Sequence, residues 1–131
     1  MSSKSPLFEQ AKKFRKVFEF SDEFSLPSFF MQRRLISEEY DETIAACMQC
    51  INDDFARSSK AELLKELADL VFVCYQMAAY MDMDLDQAMY RVFDSNMSKL
   101  DDEGKPVRRD DGKVLKGPKY KPPILDDLVK D

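Results

Sequence analysis

Residues 28 to 103 contain neither glycine nor proline, and they make up more than half of a 131-residue chain. Sheets need turn residues every few positions, so a stretch of this length without either breaker predicts helices joined by short polar links. Parallel and sandwich β architectures are not expected. All three glycines (Gly104, Gly112 and Gly117) and four of the six prolines lie beyond residue 103, which predicts a loop-like C-terminal segment.

Apolar spacing divides the body into four helices. Leu7, Phe8, Ala11, Phe14 and Phe18 recur at steps of three or four, with Lys12, Lys13 and Lys16 between them, and predict an amphipathic helix over 6–20. A Phe-rich link, 21–27, leads to a long second helix over about 28–52, with Leu35, Ala46 and Cys50 facing inward. Ser59-Lys-Ala-Glu62 has the pattern of a capping box, in which the Ser and Glu side chains each satisfy a free backbone donor; a third helix is expected from there to about Met81. A second such box, Asp84-Leu-Asp-Gln87, opens a fourth helix that ends near Leu100. The expected fold is all-α: a single domain over 1–131, with a four-helix bundle over about 6–100 and an extended basic tail over 101–131.

Several chemistries are excluded by composition. Histidine is absent, which removes imidazole bases, His-containing triads and His-ligated zinc, and leaves carboxylates, Lys, Tyr or Cys for acid/base work. The net charge of −5 argues against a sequence-independent grip on a nucleic-acid backbone. That charge is unevenly placed: residues 1–98 carry 11 basic against 17 acidic side chains, whereas 99–121 carry 8 against 5. An acidic body with a basic tail suits a metal and a polyphosphate held together. Cys47, Cys50 and Cys74 are an odd number, and the N-terminal residues show no apolar leader, so reduced thiols and a cytoplasmic location are expected. Cys47 and Cys50 are three residues apart within a predicted helix, which disfavours a redox pair, and all three thiols are expected to be small buried or half-buried residues. The most apolar run, Leu67 to Met81, is 15 residues long and holds Asp69 and Gln76, against the ~20 apolar residues of a membrane span, so it predicts a buried core helix and no membrane partner.

The carboxylates are the most informative feature. Glu39/Glu42 on the second helix and Glu66/Asp69 on the third each stand three residues apart, on one helical face, where like charges repel. Asp69 stands at the head of the apolar run, where a bare carboxylate would cost several kcal/mol or be protonated, so something positive should meet it. Converging oxygens without His or thiolate select a hard cation, Mg²⁺ first, which characteristically takes its remaining ligands from water and substrate phosphates.

Glu38-Glu39-x-x-Glu42, a gap of 23 residues, and then Glu66-x-x-Asp69 resembles the paired acidic motifs of the MazG-like, all-α nucleoside triphosphate pyrophosphohydrolases. The stretch from Ser95 to Leu100, and then Asp111-Gly-Lys-Val-Leu-Lys-Gly-Pro-Lys-Tyr120 with Pro122 and Pro123, is similar to the tail of small bacterial and phage members. Together these cover about residues 28 to 125. The resemblance implies hydrolysis of a (deoxy)nucleoside triphosphate, with a purine such as dGTP or GTP as one option, to the monophosphate and pyrophosphate. It implies Glu39, Glu42, Glu66 and Asp69 as ligands of Mg²⁺, with Mn²⁺ as a substitute, and Glu38 as the base or water-orienting residue. Asn96, Lys99, Lys113 and Lys116 are the candidate substrate contacts, with the tail as a flap hinged at Gly112 and Gly117. A homodimer or homotetramer is also implied. Seven of the ten Phe fall in the first thirty residues, suited to core or subunit interface, with one or two left to stack on a base. Two other readings use the same residues: a non-enzymatic helical interaction module, and a dUTP- or nucleoside diphosphate-specific relative with the same metal site.

Overall fold

The structure, a computed structural model, describes residues 5–131. It is all-α in character. Four helices, α1 (Leu7–Val17), α2 (Leu26–Asn52), α3 (Arg57–Tyr80) and α4 (Leu85–Met97), carry most of the ordered backbone, and one antiparallel pair of two-residue strands follows. The chain divides into two compact units, one reaching to Asp82 and one of Met83–Asp131.

In the first unit α3 is the central element, packed against both α1 and α2. Gln76 Nε2 donates to the Ala11 carbonyl at 3.3 Å across the α1/α3 contact. Tyr80 ties the end of α3 to the start of α2: its hydroxyl accepts from Ser25 N at 2.8 Å and donates to Ser25 O at 3.1 Å. Phe8, Ala11, Ala46, Cys50, Val73, Tyr75, Ala78 and Tyr80 form the buried apolar core. Phe14 joins Phe18, Phe20 and Phe72 in an aromatic cluster beside it. All three cysteines are free; Cys50 is buried, while Cys47 and Cys74 are half-buried.

Two helix starts differ from expectation for local reasons. α2 begins at Leu26, because Ser25 is its N-cap, accepting from Ser28 N at 3.2 Å, and Pro27 lies in the first turn, where its missing N–H has no bond to lose. α3 begins two residues before Ser59, and its N-cap position, Ala56, has no side-chain cap. Ser59 is therefore no capping residue. It donates to Asp53, whose carboxylate also accepts from Ala56 N at 3.2 Å and Gln49 Nε2 at 3.3 Å, so Asp53 joins the end of α2 to the start of α3. Asp84 does cap α4, accepting from Gln87 N at 3.0 Å.

The run Leu67 to Met81 is less buried than expected. Leu67, Val71 and Phe72 are exposed and, with Leu7, Leu64 and Tyr75, line an apolar groove of about 430 Å³. No described helix is long and apolar enough to cross a membrane.

The second unit adds a short hairpin to the loop-like tail expected there. Strands β1 (Val107–Arg108) and β2 (Val114–Leu115) form a hairpin with Val107 opposite Leu115 and Arg108 opposite Val114. Gly112, at φ +90°, makes its turn, and Arg109 pairs with Asp111 inside it. The chain then returns along α4. Ser95 Oγ donates to Lys121 O at 2.7 Å, Lys121 N donates to Ser98 Oγ at 2.9 Å, and Arg91 Nη1 meets Asp127 Oδ1 at 2.6 Å.

Candidate metal centre

α2 and α3 bring three of the four expected ligands together. One carboxylate oxygen each from Glu39, Glu42 and Glu66 lies within 4.8 Å of the others. The spacing of three places Glu39 and Glu42 on one face of α2, and α3 sets Glu66 against that face. Thr43 fixes the register between them: its hydroxyl donates to Glu39 O at 2.7 Å and reaches Glu66 O at 3.3 Å. Because Thr43 is buried, this contact stands in a site with little competing water.

Burial runs from Glu42, which is exposed, through Glu39 to Glu66, which is only 5% exposed. Oε2 of Glu39 and Oε2 of Glu66 are buried and receive no hydrogen bond while the carboxyls are ionised. A hydrogen bond to Glu66, reinforced by the charges of Glu39 and Glu66, raises the Glu42 pKa above the usual carboxylate value. Glu66 is displaced the other way, chiefly by its hydrogen bond from Lys65, which outweighs the opposing effect of burial. An oxygen-only set with orphaned buried lone pairs fits a hard divalent cation. A cavity of about 310 Å³ lined by Glu42, Ala45, Ala46, Gln49, Glu62 and Glu66 opens beside these carboxylates.

Asp69 lies outside the three-carboxylate cluster. Its side chain is half-buried and its Oδ2 accepts from Lys65 Nζ at 3.1 Å, so the positive group expected beside it is a lysine one turn earlier on α3. The same Nζ stands 3.0 Å from Glu66 Oε1, and the Lys65 pKa is raised by the hydrogen bonds to Glu66 and Asp69. Glu38 is exposed on α2 and takes no part in the cluster.

The other expected contacts belong to the second unit. Asn96 is exposed near the end of α4, and Lys99 follows it half-buried, its carbonyl accepting from Gly117 N at 2.8 Å. Lys113 and Lys116 are exposed, the first at the hairpin turn and the second with its Nζ 4.9 Å from the centre of the Tyr120 ring. Gly117 is no free hinge: a Cβ there would stand 2.5 Å from Lys99 O and 2.6 Å from Leu100 O, so its bare backbone is pressed against the turn that follows α4.

Sequence reasoning passed over Thr43 and Lys65. Thr43 is one residue after Glu42 and four after Glu39, a position from which a hydroxyl reaches back to a helix carbonyl, and Lys65 is adjacent to Glu66 and four before Asp69. Both signals were local and available.

No curated protein matches the chain. Among protein families, phosphoribosyl-ATP pyrophosphohydrolase matches residues 9–96, from the first helix through nearly all of the fourth, with both carboxylate pairs inside the match. The helices that carry the carboxylates and the family match describe the same segment, and the chain is thereby a member of the phosphoribosyl-ATP pyrophosphohydrolase family, a MazG-like, all-α family of nucleotide pyrophosphohydrolases.

Proposed function

We propose that this protein hydrolyses a (deoxy)nucleoside triphosphate to the monophosphate and pyrophosphate, using Mg²⁺ or Mn²⁺ held by Glu39, Glu42 and Glu66, with Asp69 as the fourth ligand. The observation that carries the reading is the convergence of three carboxylates with two buried, undonated oxygens. When bound, the cation supplies positive charge against the triphosphate and the leaving pyrophosphate. Water adds to the α phosphorus, the bond from that phosphorus to the α–β bridging oxygen breaks, and the bridging oxygen leaves with pyrophosphate. Glu38, exposed next to Glu39, accepts the proton of the attacking water. Asn96, Lys99, Lys113 and Lys116 hold the phosphates in this scheme, supported by the excess of 8 basic over 5 acidic residues in 99–121. Purine triphosphates such as dGTP and GTP are the first substrates to try.

A homodimer or homotetramer completes the proposal, supported by the apolar groove of Leu7, Leu64, Leu67, Val71, Phe72 and Tyr75. Three free cysteines fit a reducing cytoplasm.

The test is to incubate the protein with each NTP and dNTP and Mg²⁺ in ¹⁸O-labelled water and to separate the products. Monophosphate carrying the label, together with pyrophosphate, is expected, and Glu66→Gln should abolish most turnover without loss of helical signal. Orthophosphate as the first product, or full turnover in excess EDTA, refutes it.

A further inference from the structure

Lys65 places an ammonium where a metal ion would compete with it. Its Nζ lies 3.0 Å from Glu66 Oε1, 3.1 Å from Asp69 Oδ2 and 4.0 Å from Glu62 Oε1. Glu66 thus has one oxygen turned to a lysine and the other, Oε2, buried with no donor. Asp69 is held by the same ammonium and stands apart from the cluster of Glu39, Glu42 and Glu66.

We infer that Lys65 is an exchangeable internal cation: its ammonium sequesters Asp69 and one edge of Glu66, and gives both up when a divalent cation binds, so that Lys65 sets the metal affinity of the site. The inference rests on the metal reading above and adds a residue that tunes it. A divalent ion ~2.1 Å from a Glu66 oxygen would stand within a few ångström of the ammonium, and two positive charges at that range repel strongly unless one moves. Lys65 is the one that moves easily, since its side chain is 59% exposed and ends a flexible stem. Its departure frees Asp69, one turn along the same face as Glu66, to become the fourth ligand. The position of Asp69 outside the cluster is then a consequence of the ion pair rather than of the backbone. Lys65 is a positioning residue in this account, acting through the two carboxylates.

The experiment measures Mn²⁺ binding by the free-ion electron paramagnetic resonance signal, without nucleotide, in the wild type, Lys65→Met, Asp69→Asn and the double variant. Lys65→Met should bind Mn²⁺ on the order of ten-fold more tightly, the size of effect that a charge at hydrogen-bond distance has on a neighbouring ionic equilibrium. Most of that gain should vanish in the Asp69→Asn background, because the two effects share one contact. Unchanged or weaker binding in Lys65→Met overturns the inference while leaving the metal site intact. Equal tightening in both backgrounds also overturns it, reducing Lys65 to a distant repulsive charge. Failure of the wild type to bind Mn²⁺ at millimolar concentration is a different result: it removes the metal reading itself, and this inference with it. Lys65→Arg, which keeps the charge and the contacts, should stay near the wild type.

Discussion

Gly117→Ala isolates what pins the basic segment to α4. The added methyl would meet Lys99 O at 2.5 Å and Leu100 O at 2.6 Å, well inside van der Waals contact and against backbone rather than a side chain that can swing away. Relief requires the two strands of chain to part, which also strains the 2.8 Å bond from Gly117 N to Lys99 O. Overpacking costs ~1–3 kcal/mol and the hydrogen bond ~1 kcal/mol, so the local contact should weaken by about 2–4 kcal/mol. At roughly 1.4 kcal/mol per factor of ten, amide exchange at position 117 should accelerate some thirty-fold to several-hundred-fold. Gly104→Ala is the control. Gly104 has φ +74° and nothing within 4 Å of a built Cβ, so it should show only the ~1–2 kcal/mol conformational cost of a left-handed residue, without speeding exchange at 117. Hydrogen exchange read by NMR on both variants separates steric from conformational effects. Wild-type protection at position 117 in Gly117→Ala would refute the close-approach argument and restore this glycine as a hinge.

Thr43→Val keeps the shape of the buried side chain and removes both hydroxyl contacts, to Glu39 O and Glu66 O; stability should fall by ~1 kcal/mol and Mn²⁺ affinity several-fold, measured by chemical denaturation and metal titration, and no change in either would show that Thr43 does not align α2 with α3. Asp53 is held below its ordinary pKa of 3.8, first by the Ser59 hydroxyl, so its ionised form favours the fold: that contribution is complete above pH 3.8 and disappears as pH falls through the lower folded value. Thermal melts should therefore show a shallower loss of stability below pH 3.8 in Asp53→Asn than in the wild type, and parallel acid limbs would deny Asp53 its role at the α2/α3 junction.

Much of the fold was legible because its determinants are local. The breaker-free stretch of 28–103 became three helices and most of the linking turns, and the spacing of three within each carboxylate pair had only one geometric meaning once helices were assumed. The thiols were likewise readable, since an odd number of cysteines in a helical context leaves little but packing. Helix starts were less so. Ser59 and Glu62 have the spacing of a capping box, yet Asp53, six residues before Ser59, captures the hydroxyl and lets α3 begin earlier. A capping motif states which groups are able to bond, whereas the path of the preceding chain determines which of them meet.

The helical class, the faces on which the acids lie and the oxygen-only chemistry of the candidate site follow from residue order alone, because helical periodicity and the absence of histidine need no tertiary information. The burial of Glu66 against Glu39 and Glu42, the turning of Asp69 to Lys65 and the role of Gly117 as a point of contact rather than of freedom are products of packing. These outcomes depend on which surfaces of two helices, or of a helix and a returning strand, come within a few ångström of each other. Exposure followed the same rule: Leu67, Val71 and Phe72 are as apolar as Val73 and Ala78 on the same helix, yet the first three are exposed and the last two buried, a difference set by which face of α3 meets α1 and α2.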